Sequence, residues 1–111
     1  MKKGLIVFFS IVLVSMLVVT SWASLYENVF AGGAKIIAEP WGIATLFDTY
    51  FAFFTFYFWL AYKENHLVKN IVWLVLVILF GNIAMAIYGL LEIRRLGKNF
   101  TTEKFLIERK A

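Results

Sequence analysis

The chain has no cysteine, a single proline (Pro40), a single histidine (His66), and charge on only 16% of its 111 residues. Without cysteine there is no disulfide, thiolate nucleophile, iron–sulfur site or zinc–thiolate site. One histidine rules out a bis-histidine haem within one chain. A soluble domain keeps about a quarter of its residues charged. The short length and low charge exclude a nucleotide-binding α/β domain, a metallohydrolase and a disulfide-stapled module.

What is present is apolar: 62% of the residues are hydrophobic and 19% aromatic, and the mean hydropathy is +0.81. This content is gathered into three runs, from Gly4 to Tyr26, from Pro40 to Tyr62 with Asp48 as its only formal charge, and from Asn70 to Leu91. A bilayer core of roughly 30 Å takes about 20 helical residues. Lipid offers the backbone no hydrogen bonds, so helix is selected even where β-branched and aromatic residues abound. The expectation is an all-α integral membrane protein. It has three transmembrane helices, near 4–24, 42–62 and 71–92, in an antiparallel bundle, followed by a basic amphipathic tail over 94–111.

The connections agree with that reading. Loop 1, from Tyr26 to Trp41, holds Gly32, Gly33 and Pro40, with a short interfacial turn expected over Ala34 to Glu39. Loop 2, from Lys63 to Lys69, is short and polar, which makes the helices it joins antiparallel neighbours. His66 lies in it as a solvated residue. Lys2 and Lys3, the apolar run and Ser21-Trp22-Ala23 imitate a signal peptide. The run is at the long end for a signal core, and retention of the first helix is favoured over cleavage.

Two orientation rules disagree. Lys2 and Lys3 favour a cytoplasmic N-terminus, which for three spans sends the tail outside. Counted by side, Lys2, Lys3, Lys63 and Lys69 stand against Lys35, Arg94, Arg95, Lys98, Lys104, Arg109 and Lys110, which places the tail in the cytoplasm. A cytoplasmic C-terminus in a plasma or inner membrane is the expectation, since a basic, aromatic tail is drawn to an anionic leaflet. The net charge of +4 is topological charge. The basic residues carry no nucleic-acid-binding motif.

Chemistry falls to the polar residues inside the spans. Asp48 is the candidate catalytic residue, because an intramembrane carboxylate needs a partner or a water-filled cavity. Thr55 shares its helical face. With helices 2 and 3 antiparallel, Asp48, Asn82 and Tyr88 lie about 21, 17 and 26 Å from loop 2, which predicts an Asp48–Asn82–Tyr88 cluster. Asp48, Tyr50, Thr55, Asn82 and Tyr88 are the candidate ligand-binding residues. Helix–helix packing competes with a ligand role for all of them. Ten of the nineteen residues from Ala44 to Tyr62 are aromatic; lipid contact and packing compete with stacking on a flat apolar ligand. Glu64 and Glu92 read as surface pairing with basic neighbours.

The residues also carry a resemblance. Ser24-Leu25-Tyr26-Glu27-Asn28-Val29-Phe30, the stretch from Pro40-Trp41 to Thr45-Leu46-Phe47-Asp48-Thr49-Tyr50, Trp59-Leu60-Ala61-Tyr62-Lys63-Glu64, and Gly81-Asn82-Ile83-Ala84 with Tyr88 resemble the small membrane-protein family designated domain of unknown function 1475. The resemblance covers roughly 4–93. It implies a compact three-span protein without an assigned activity and marks Asp48, Tyr50, Lys63, Glu64 and Asn82. An Asp early and a Glu late in an aromatic helix is loosely similar to membrane terpene-cyclase-like proteins, whose cavity needs more than three spans.

Two function classes follow. The first is a non-enzymatic accessory subunit or homo-oligomer; the second binds, or processes by acid catalysis, an apolar isoprenoid-like lipid, with Asp48 as polar anchor or proton donor. Neither calls for a metal or cofactor.

Overall fold

The computed structural model describes residues 2–109. Among the described residues six α-helices follow one another: α1 (Lys2–Tyr26), α2 (Val29–Ile37), α3 (Pro40–Glu64), α4 (Leu67–Phe80), α5 (Asn82–Leu96) and, after a 3₁₀ turn at Gly97–Asn99, α6 (Thr102–Ile107). Both α1 and α3 are 25 residues long and apolar enough to cross a membrane. They contain the expected spans 4–24 and 42–62.

The helix ends follow local chemistry. Asn28 caps α2, its Oδ1 accepting from the Ala31 N–H at 2.8 Å; the helix therefore starts earlier than the turn expected at Ala34, and takes in Gly32 and Gly33. Pro40 opens α3 at its first turn, where a missing N–H costs nothing. Glu39 before it is extended, as the residue preceding a proline must be. Asn65 ends α3 with φ 49°, and His66 caps α4 by accepting from Lys69 N–H at 3.4 Å. Gly42 is required by close approach: a Cβ there would lie 2.0 Å from the Ile36 carbonyl oxygen, so α2 is laid back against the start of α3.

The third apolar run differs from expectation. It is not one helix over 71–92 but two, broken at Gly81, whose φ of 53° and ψ of −119° belong to glycine alone. In a continuous helix Trp73 and Tyr88 would be about 22 Å apart, yet their rings meet with centroids 5.1 Å apart. The run is a helical hairpin. At its apex a Cβ on Gly81 would lie 2.5 Å from the Phe53 ring, so the turn stops roughly halfway along α3. The Tyr50 hydroxyl donates to the Ile78 carbonyl at 3.2 Å, one of the carbonyls at a helix end that lack an intrahelical partner.

Helix α4 runs antiparallel to α3: the Tyr57 hydroxyl donates to the Asn70 carbonyl at 3.0 Å, and Tyr50 reaches Ile78 further on. Helix α5 returns antiparallel to α1. Lys2 Nζ donates to the Gly97 carbonyl at 3.0 Å, and Phe9 packs so closely on Gly89 that a Cβ would sit 2.6 Å from its ring. One end of the bundle thus gathers the start of α1, the ends of α3 and α5, the start of α4, and α6. The other holds the end of α1, α2 and the start of α3.

Burial is uneven. Leu60, Val77, Ala84, Ala86, Tyr88, Ile93, Leu96 and Phe105 form the buried apolar set, whereas α1 buries none of its residues. Phe105 of the tail joins Ile93 and Leu96 in the core. The tail is therefore part of the bundle over these residues, with Thr101 capping α6 through Lys104 N–H at 3.1 Å.

Candidate functional site: a buried ionic cluster

The end of α3 carries Trp59 and Lys63 one helical turn apart, and α5 carries Tyr88, Glu92 and Arg95 at the i, i+4, i+7 spacing that puts them on one face. Because the hairpin brings α5 back to the level of loop 2, these faces meet. Lys63 is fully buried and Glu92 is 1% exposed; Lys63 Nζ lies 2.7 Å from Glu92 Oε2. Its remaining hydrogens go to the carbonyls of Lys104, at 3.2 Å, and Phe105. The ammonium also stands 5.4 Å from the centres of the Trp59 and Phe105 rings. A buried lysine needs such a shell, since removing a charge from water is offset only by pairing and hydrogen bonding.

Glu92 is shared. Arg95 grips the same carboxylate as a fork, Nε to Oε1 at 3.1 Å and Nη2 to Oε2 at 3.1 Å, and extends Nη1 toward Glu108 Oε1 at 3.5 Å. The hydrogen bond to Glu92 holds the Arg95 guanidinium above its already high pKa, so it stays a cation at every accessible pH. Around this core, α3 fastens α6. Trp59 Nε1 donates to the Leu106 carbonyl at 2.7 Å. Arg109 lies 4.5 Å over the Tyr62 ring and bonds the Tyr62 carbonyl at 3.0 Å and Asn65 Oδ1 at 2.7 Å. The carbonyls of 104, 105 and 106 belong to the last turn of α6, where Glu108 N–H reaches only the first, at 3.1 Å, and helix geometry favours a cation. Lys63 and Trp59 supply that cap.

Glu64, Lys69, Trp73, Tyr88, Leu91 and Glu92 line a cleft of about 260 Å³ in the mouth of the hairpin. The arrangement can bind and fasten. Among the described residues no three His, Asp or Glu side chains gather as metal ligands do.

The residues singled out by sequence are dispersed. Asp48 is exposed on α3. Thr55 donates to the carbonyl of Phe51 in its own helix at 2.9 Å, Tyr50 closes the end of α4, and Asn82 is exposed at the first residue of α5. Tyr88 is buried against Phe56, Trp59 and Trp73, with centroids 6.2, 5.6 and 5.1 Å away. The expected Asp48–Asn82–Tyr88 cluster does not form, because its heights assumed a straight third helix and the hairpin carries Tyr88 back to the level of Trp59. Glu64 and Glu92, expected at the surface, are 2% and 1% exposed. The resemblance marks Lys63, but its pairing with Glu92 is not legible in the sequence, for the same reason. The one available signal was a lysine and a glutamate closing two apolar helices.

A family model of proteins of unknown function, DUF1475, matches residues 2–106. The chain belongs to this family. The match takes in α6 up to Leu106, beyond the 4–93 that the resemblance covered, in keeping with a tail built into the bundle. No curated protein and no solved structure matches the chain.

Proposed function

We propose that this DUF1475 protein is an integral membrane protein that crosses the bilayer twice, through α1 and α3. The α4–α5 hairpin enters from one side and returns, and both chain ends face the cytoplasm. The observation that carries the reading is the distribution of charge. Among the described residues Lys2, Lys3, Lys63, Lys69, Arg94, Arg95, Lys98, Lys104 and Arg109 fall at the end of the bundle that gathers α6, and Lys35 alone falls at the other. Such asymmetry supports a cytoplasmic face, and under this reading Lys2/Lys3 and the basic tail agree, since an even number of crossings puts them on one side. Support also comes from α1, which has no buried residue along 25 positions; an apolar surface of this extent calls for lipid or a partner.

Within the membrane the chain acts as a non-enzymatic helix-bundle subunit that associates through α3, with a second copy or with another membrane protein. At the cytoplasmic end Lys63, Glu92, Arg95 and Glu108 are paired with one another. Asp48, about 12 Å into α3 from Pro40, is exposed and has no hydrogen bond or ion pair among the described residues. A carboxylate on a lipid-facing surface is costly, and a neighbouring helix with a polar group removes that cost. The isoprenoid reading, with Asp48 as anchor or acid, is less well supported, because Asp48 lines none of the three cavities described.

The chain has no native cysteine, which makes the test direct. Thr55→Cys, on the Asp48 face, is expected to crosslink in native membranes to itself or to a partner chain, and to stop doing so when Asp48→Leu is added. Val18→Cys on α1 serves as the control. Crosslinking at Thr55→Cys no stronger than at Val18→Cys overturns the association.

A further inference from the structure

The largest of the three cavities described lies at the end of the bundle away from the ionic cluster. It occupies about 730 Å³ between the end of α1, α2 and α3, and Trp22, Tyr26, Glu27, Gly32, Gly33 and Ile36 are among its walls. That volume lies within the range of sites that hold small molecules. Two features make it more than a gap between helices. Gly32 and Gly33 face open space, since a Cβ at either would meet no atom within 4 Å, and Gly42 locks α2 onto α3 at a distance that no larger residue permits, so the opening is held by the backbone. The second feature is Glu27. Its Oε2 pairs with Lys35 Nζ at 2.7 Å, while its Oε1 is buried with no hydrogen-bond partner among the described residues. An unpaired carboxylate oxygen out of water is expensive unless a donor reaches it.

We propose that this cavity is a binding site for an amine-headed zwitterionic phospholipid, taken from the leaflet opposite the basic end of the bundle. The walls fit its parts in order. The head's ammonium pairs with the Glu27 carboxylate, whose side chain is 29% exposed and turns its buried oxygen toward the cavity to meet it, beside the rings of Trp22 and Tyr26, which attract a cation. Its phosphate meets Lys35, whose side chain is 76% exposed and so free to turn. The first part of the acyl chains lies along Ile36 and the glycine face of α2. A quaternary ammonium has no N–H for Glu27, and a glycerol head has no cation for it. The inference rests on the membrane reading above.

The test is native mass spectrometry of the full chain, delipidated in detergent and titrated with dioleoyl phosphatidylethanolamine, phosphatidylcholine and phosphatidylglycerol in parallel. The ethanolamine lipid is expected to bind about tenfold more tightly than either of the others, as a charge-assisted bond of about 1.4 kcal/mol requires. Glu27→Gln should remove that preference. Gly33→Leu, which fills open space, should lower binding of all three lipids while the melting temperature stays within a few degrees. Equal binding of the three lipids by the unaltered chain overturns the site, as does a preference that survives both variants. A chain released from membranes by alkaline carbonate overturns the membrane reading instead, so the two failures are distinct.

Discussion

The two ends of α3 treat charge in opposite ways. Near its start Asp48 is exposed and has no partner within the described chain; at its finish Lys63 is fully buried and held by Glu92, two carbonyls and two aromatic rings. Both sit in the same aromatic, apolar helix. What separates them is the hairpin, which returns α5 and α6 to the Lys63 end and stops at Phe53, short of Asp48. A charge in an apolar helix is thus internal or external according to where the rest of the chain turns.

The most damaging way to break this contrast is to remove the lysine. Lys63→Met should destabilise the bundle by about 3–5 kcal/mol, because Glu92 loses its buried cation and the Phe105 carbonyl loses the Lys63 donor. The double variant Lys63→Met/Glu92→Leu should recover part of that loss. Thermal melting in detergent, with limited proteolysis to report release of α6, measures both. A single variant as stable as the parent would mean the buried pair does not fasten the tail.

Gly81→Ala acts on the turn that makes the contrast. It forces a Cβ into a positive-φ position and against the Phe53 ring, at a cost of about 1–3 kcal/mol. Contact between α5 and α3 should weaken with it, read as increased labelling of a cysteine placed at Tyr88 in the Gly81→Ala background relative to the same cysteine alone. Unchanged labelling and melting would contradict a tight turn at Gly81.

The smallest effect on the isolated chain is expected at the other end of α3. Asp48→Leu should change monomer stability by no more than about 0.5 kcal/mol, as for other exposed positions without partners, while abolishing the α3 crosslink. A large loss of monomer stability would mean that Asp48 has an internal partner after all.

Much of the fold was legible, and for physical reasons. The bounds of α1 and α3 follow from apolar length and from Pro40, and His66 is exposed in the short link as its neighbours require. The hairpin was not legible, because its turn is one glycine in a run from Asn70 to Leu91 with no charge and no polar loop, and Gly81 in such a run reads as a packing residue. With the turn hidden, Lys63 and Glu92 stand at opposite ends of the expected bundle, so Glu92 reads as surface charge and its pairing with Lys63 is not visible. The disagreement between Lys2/Lys3 and the basic tail bears on the proposed topology: three crossings cannot satisfy both, whereas two crossings and a hairpin can.

The central claim is therefore tested most directly by locating the two chain ends. Reporters fused separately to the N-terminus, to the segment between α1 and α2 near Asn28, and after Ala111 should place both termini in the cytoplasm and the Asn28 segment on the far side. Termini on opposite sides would mean that residues 71–92 cross the membrane as a third span, and would contradict the hairpin and the ionic cluster that depends on it.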